Sequence, residues 1–188
     1  MAEQVLVRMY DGEPIRVPKG SRKADVIRRY YMNKHWDHIA AMEDKYGVPA
    51  GLLSRLIDRE SAFNPRAKSK AGALGLMQIV KKWHPNVDPF NETEAITYGA
   101  KYLADRFRQF GDWEKALAAY NWGQGNLREA INKYGEAWLD KAPKETRDYV
   151  AALGEYAKPR ERTGPINPRK MGTNEITMDQ NTSSGRQP

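Results

Sequence analysis

Along most of this chain the apolar residues recur at helical spacing, in short stretches stopped by glycine, asparagine or proline. The sharpest stretch is Leu52, Leu53, Leu56 and Ile57, spaced i, i+1, i+4, i+5, which makes one apolar stripe. Before it, Trp36, Ile39, Ala40, Met42 and Glu43 fit a helix that closes at Gly47. Pro49 then suits the first turn of the stripe helix, which stops at Asn64-Pro65. Asn91, with Glu94 three residues later, reads as a capping box. It opens a helix carrying Ile96, Tyr102, Leu103, Phe107 and Phe110, and Gly111 closes it. Asp112 caps a shorter helix with Ala116, Leu117 and Tyr120. Asn126 and Gly135 bracket another, and a last helix runs from about Pro143 to Tyr156. The body is therefore mainly α.

The flanks differ from the body. Val5, Val7 and Met9 alternate with Leu6, Arg8 and Tyr10, Asp11-Gly12 supplies a turn, and Ile15 and Val17 resume the alternation. This predicts a short β-hairpin, followed by a helix capped by Ser21 that carries Val26, Ile27, Tyr30 and Tyr31. From residue 158 on, proline, glycine and serine punctuate a segment with little apolar periodicity, which reads as an extended tail. The expected organisation is a hairpin-helix appendage over 1–34, a helical domain over 35–157 and a basic tail over 158–188. A chain of 188 residues with 40% hydrophobic residues is long enough for one such core. It has no cysteine, which excludes a disulfide scaffold, a thiol nucleophile and a Cys-based zinc site. There is no apolar run long enough to span a membrane, and the first residues lack the apolar region of a secretory signal.

The net charge of +7 lies entirely in the flanks. Residues 1–34 carry 8 basic and 4 acidic side chains, 35–157 carry 17 of each, and 158–188 carry 6 and 3. Basic arms on a balanced body suit contact with an anionic partner, such as nucleic acid, an acidic protein or a wall polymer. Ordinary solubilising charge gives the same pattern.

One carboxylate stands out. Glu60 follows Leu56 by four residues and Ile57 by three, so it shares their inward face. Burial raises a carboxyl pKa, and the negative end of a helix pushes the same way. A carboxyl kept protonated near neutral pH can act as a general acid. A salt bridge to Arg59 or Arg66 is the alternative use of such a residue. Asp58 points to the opposite side, and no nearby acid supplies the second carboxylate that most glycoside hydrolases need.

Three motifs, in order, carry a resemblance. They are Glu60-Ser61-Ala62-Phe63-Asn64-Pro65 with Ser69 and Gly72-Ala73-Leu74-Gly75-Leu76-Met77-Gln78-Ile79; then Ala119-Tyr120-Asn121 with Gly123; then Pro143, Glu145-Thr146 and Tyr149-Val150. Together, over about residues 36–157, they resemble the family 1 lytic transglycosylases, the SLT-type domains of the lysozyme-like superfamily. The resemblance implies a lysozyme-like helical domain and cleavage of the MurNAc-β-1,4-GlcNAc bond of peptidoglycan strands. The 6-hydroxyl closes on C1 to give a 1,6-anhydromuramoyl end, so the enzyme is a lyase. One carboxyl suffices, aided by the substrate's N-acetyl group. By the same resemblance Glu60 is the acid and base, and Tyr120 sets its hydroxyl near that carboxyl. Ser69 and Gln78 bond the sugar, Met77 packs beneath a ring, and Asn121 and Tyr149 line the groove. Ser61 holds the end of the catalytic helix, while Gly72 and Gly75 allow close approach of substrate or simply make tight turns.

The chain departs from the family pattern at Val80-Lys81-Lys82-Trp83-His84-Pro85, at Trp122 and at Gln124. Trp83 and Trp122 either stack on sugars or fill the core. No cofactor or metal is implied: His35 and His38 lack further ligands and are expected at the surface. Gly123-Gln124-Gly125 lacks the residues of a phosphate loop. A wall-cleaving domain without an export signal fits a bacteriophage virion protein that opens the host wall during genome entry. Residues 1–34 and 158–188 would dock on portal, tail or internal core proteins, or touch DNA. A structural virion component with the same fold, and a hydrolytic goose-type lysozyme, are the competing readings.

Overall fold

The computed structural model describes residues 3–158, so the tail expected beyond 158 lies outside the described residues. Strands β1 (Gln4–Arg8) and β2 (Pro14–Pro18) pair antiparallel, with Val5 opposite Val17 and Val7 opposite Ile15. The turn closes with the Met9 N–H donating to the Glu13 carbonyl at 2.8 Å, and Gly12 takes a φ of +90°. The alternation puts Met9, Ile15 and Val17 in one core with Val26, Ile27 and Tyr30 of α1 (Lys23–Tyr46).

Helix α1 is a correction to the two helices expected there. It runs unbroken for 24 residues, because nothing between its ends breaks a helix. The boundary expected between residues 34 and 35 thus falls inside one helix, and both residues tie it to neighbouring elements. Lys34 Nζ bonds Asp11 Oδ2 in the hairpin turn at 2.7 Å and lies 3.0 Å from Glu92 Oε2. Ser21 is no helix cap; its hydroxyl donates to the Pro18 carbonyl, and Arg22 stands at the cap position. Of the two histidines expected at the surface, His35 is buried and His38 is half-buried. His35 is buried against Glu92 Oε2 at 2.7 Å, and His38 bonds Thr97 Oγ1 at 3.0 Å. Both fasten α1 to α3 (Glu92–Phe110).

Helix α2 (Leu52–Ser61) carries the stripe, and all four of its apolar residues are fully buried. A small hairpin of β3 (Ala73–Leu74) and β4 (Ile79–Val80) follows. Helices α4 (Trp113–Trp122), α5 (Gln124–Tyr134), α6 (Trp138–Lys141) and α7 (Lys144–Ala157) complete the body. Ala116, Leu117, Ala118 and Ala119 are all buried, and four successive positions cover every side of a helix. Helix α4 is therefore enclosed, with α3, α5 and α7 packed on it. Its three alanines let those neighbours close in.

Asn91 and Asp112 cap as expected, accepting from Glu94 N–H at 3.1 Å and Lys115 N–H at 2.8 Å. Asn126 does not. It sits in the first turn of α5, its amide donating to the Trp122 carbonyl, because the sharp α4–α5 turn needs Gly123 at φ +92°.

Candidate active site

Helix α2 packs on α7 and presents its last turn to Tyr149 there. Its first turn is anchored by Glu43, a buried carboxylate on α1. Glu43 accepts from the Gly51 and Leu53 N–H groups, each at 2.9 Å, and so satisfies two donors that a helix start leaves open. Sequence reasoning missed this role. The signal was present: Glu43 follows buried Ile39 by four residues, the same spacing that singled out Glu60.

At the other end Ser61 Oγ donates to the Ile57 carbonyl. The chain then turns through Ala62 and Phe63, both in the left-handed region at φ +50° and +57°. Gln78 at φ +49° is the third such non-glycine residue among those described. All three flank the site, where backbone strain collects in folded proteins.

Glu60 is half-buried between these features. Burial pushes its pKa up to about 7, and the Glu145 charge adds to the rise. Two influences oppose it: a hydrogen bond from the Tyr149 hydroxyl to Oε1 at 2.5 Å, and the Arg59 charge. Neither arginine forms an ion pair with it; Arg66 lies over the Phe90 ring instead. Asp58 faces away, bound through both oxygens to Arg28 of α1 at 2.6 and 2.5 Å. A carboxyl that titrates near 7 is present in both states at neutral pH, and can give a proton and take one back.

The two tyrosines exchange the places expected of them. Tyr149 was expected along the groove, yet its hydroxyl holds the Glu60 carboxyl. The Tyr120 hydroxyl donates to the Met77 carbonyl at 2.9 Å. Tyr120 still belongs to the cluster: burial and the Glu60 charge raise its pKa well above the usual value, and they do the same to Tyr149.

Met77 is corrected outright. Its side chain is 1% exposed and lies against Gly99 of α3, so it packs in the core rather than beneath a ring. A Cβ on Gly99 would sit 2.1 Å from the Met77 methyl group. Gly75 does permit a close approach, but to protein: a Cβ there would meet the Pro89 carbonyl oxygen at 1.9 Å. Gly72, at φ +86° with open space around it, makes a turn. Ser69 Oγ accepts from the Ala73 N–H in that turn. Gln78 Nε2 donates to the Gly75 carbonyl, and Asn121 Oδ1 accepts from the Thr146 hydroxyl at 2.9 Å. Trp122 packs against the core, whereas Trp83 is 69% exposed. Among the described residues no group of three or more acidic or histidine side chains could hold a metal ion. No helix among them is long and apolar enough to cross a membrane.

Residues 37–142 match the family model of the transglycosylase SLT domain. Membrane-bound lytic murein transglycosylase D of Escherichia coli K12 is 30% identical over 179 residues, covering 79% of this chain and 39% of that protein. Peptidoglycan transglycosylase gp16 of Escherichia phage T7 is 36% identical over 127 residues, covering 61% of this chain and 10% of that protein. The chain thus spans well under half the length of these curated relatives. Among solved structures, lytic transglycosylase Slt of Pseudomonas aeruginosa superimposes with a TM-score of 0.57 at 26% identity, over 65% of this chain and 23% of that one. The family match spans more than half of the chain and includes Glu60, and the chain belongs to the transglycosylase SLT domain family.

Proposed function

We propose that this chain is a peptidoglycan lytic transglycosylase in which Glu60 is both acid and base. Protonated Glu60 gives its proton to the oxygen bridging N-acetylmuramic acid and N-acetylglucosamine as the bond to C1 breaks. The substrate's N-acetyl group supports the cationic centre. The Glu60 carboxylate then takes the proton of the 6-hydroxyl as that oxygen bonds to C1. The proton ledger closes with no water consumed, and the product is a 1,6-anhydromuramoyl end. Tyr149 steadies the carboxylate between the two transfers by donating to it. Tyr120 fixes the backbone at Met77 beside Gln78.

The observation that carries this reading is a single carboxyl poised near pH 7 under a tyrosine hydroxyl. The test is digestion of purified peptidoglycan by the protein and by E60Q. Muropeptides one water lighter than hydrolysed ones, absent with E60Q, are expected.

One feature favours hydrolysis as the second reading. Glu145 is exposed on the first turn of α7, four residues before Tyr149, and its charge reaches Glu60. If it orients a water, the enzyme is a goose-type lysozyme, and hydrated products that vanish with E145Q will say so.

For the biological setting, we propose a phage particle that opens the host wall locally during genome entry. Residues 1–34 and 158–188 would dock on virion proteins or DNA. The likeness to the T7 protein and the basic flanks support this. Deleting 158–188 should leave activity in solution and remove the protein from particles; a purely structural component would show no activity to retain.

A further inference from the structure

We propose that Arg106 binds a free carboxylate of the substrate's peptide stem, at a subsite that branches from the Glu60 cluster through Tyr102. This rests on the peptidoglycan reading above. Tyr98, Tyr102 and Arg106 are four residues apart on α3 and line one face of it. Tyr102 meets the Tyr120 ring edge-on at 5.6 Å, so this face begins beside the Glu60 cluster. The Arg106 guanidinium lies 4.8 Å over the Tyr102 ring, and its Nη1 donates to Gln124 Oε1 at the start of α5. On the other side His84 packs against Tyr102 at 5.3 Å and bonds the Tyr98 hydroxyl through Nδ1 at 2.7 Å. His84 and Gln124 lie in the two segments where the sequence departs from its family's pattern. Forty residues apart along the chain, both come to rest on this one helix face.

The cation at its end has no counter-ion. Among the described residues no carboxylate pairs with Arg106; Asp105, its neighbour, is taken by Arg108. Its Nε is buried with no hydrogen-bond partner. A half-buried guanidinium without an anion bears the desolvation cost and lacks the return. With Nε buried and Nη1 given to Gln124, Nη2 is the nitrogen left for a ligand, and a guanidinium N–H is a strong charge-assisted donor to a carboxylate. Burial and the Arg106 charge hold His84 below its usual pKa, so the cluster offers one cation rather than two. Where stems are attached the lactyl carboxyls of the glycan are tied up as amides, and the free carboxylates of the polymer are on its stems. An unpaired cation set off from the Glu60 cluster by the Tyr102 and Tyr120 rings is therefore matched to the stem.

Binding tests this without depending on turnover. E60Q protein is bound to insoluble peptidoglycan and to the same material with its stem carboxyls converted to neutral amides. Amidation should weaken binding about tenfold, as loss of one charge-assisted pair at a partly exposed site implies. E60Q/R106L should bind both materials as weakly as E60Q binds the amidated one. R106K, which keeps the charge and loses the stacked guanidinium, should fall between. With active enzyme, R106L should raise KM on glycan with free stem carboxylates, leave kcat unchanged and leave the amidated glycan unaffected. Equal weakening on both materials would reduce Arg106 to a packing role over Tyr102. Unchanged binding on both would remove the subsite while lytic products, if seen, kept the enzyme. Stem-dependent binding without any lytic product would keep the subsite and overturn the reaction.

Discussion

Tyr149→Phe removes one hydroxyl from the Glu60 carboxyl and leaves a buried ring in place. The bond it deletes favours the ionised carboxylate, so its loss must raise the Glu60 pKa above its present value of about 7. A hydrogen bond to a charged group contributes about 1.5–3 kcal/mol. At about 1.4 kcal/mol per pH unit, the pKa should climb by about one to two units, with the lower figure applying if water fills the gap.

The assay is kcat/KM against pH on solubilised glycan, whose alkaline limb reports the acid of the free enzyme. In the wild type that limb should fall as pH rises through about 7, where Glu60 loses its proton. In Y149F it should stand one to two units higher. The variant should be slower at its optimum, because the carboxylate left after the first transfer has lost a donor. At pH 8 it should nevertheless keep a larger fraction of its own maximum than the wild type keeps. A limb that stays in place, or moves to lower pH, refutes the claim that this hydroxyl tunes this carboxyl.

Three further outcomes follow from the same geometry. The Glu60 pKa is raised from 4.5 to about 7 on folding, so ionising it opposes the fold; the penalty is absent below pH 4.5, grows through the window and is complete above 7. E60Q should therefore unfold at higher temperature than the wild type at pH 8, by about 1–2 kcal/mol after allowing for solvent screening, and show no gain at pH 4; an equal effect at both values would mean that charge is not the cause. Glu43→Ala strips two N–H partners from the start of α2 and should cost about 2–3 kcal/mol in denaturant unfolding, with activity falling alongside. Gly75→Ala drives a Cβ into the Pro89 carbonyl at a left-handed φ and should cost about 3 kcal/mol or more, whereas Gly99→Ala meets the unbranched Met77 side chain rather than backbone and should cost less; the order of the two melting temperatures is the check.

Local physics was legible in the sequence and distant partnership was not. The α2 stripe, the caps at Asn91 and Asp112 and the inward place of Glu60 each depend on residues within a turn or two of each other. The continuity of α1 was hidden because polar residues in its middle broke the apolar pattern. Those residues, Lys34 and His35, in fact face Glu92, which lies 57 residues beyond His35. Met77 matched a family motif, but the motif does not say that Gly99 leaves a hollow for its side chain. Tyr120 and Tyr149 both stand in the motifs that carry the resemblance, and the fold brings both near Glu60. Which one touches the acid is decided by a contact spanning 89 residues, fixed by how α7 packs on α2 and α4.

The raised pKa of Glu60 depends on a helix end that does not fray, for a carboxyl that reaches water returns toward 4.5. Two consecutive left-handed residues just after the acid cost about 1–3 kcal/mol each. Burial of the Phe63 side chain, 1% exposed, offsets about 1.5–3 kcal/mol of this. The turn thereby leads the chain away at once and leaves Glu60 in the last turn of α2, where the helix dipole also opposes its ionisation. Phe63→Ala keeps the strain and deletes its anchor. Stability should fall by about 3–5 kcal/mol. In molecules that remain folded the loosened turn should admit water, and the alkaline limb of kcat/KM should move to lower pH, opposite to its movement in Y149F. Lost stability with an unmoved limb would show that α7, through Tyr149, holds the carboxyl in place without help from the turn.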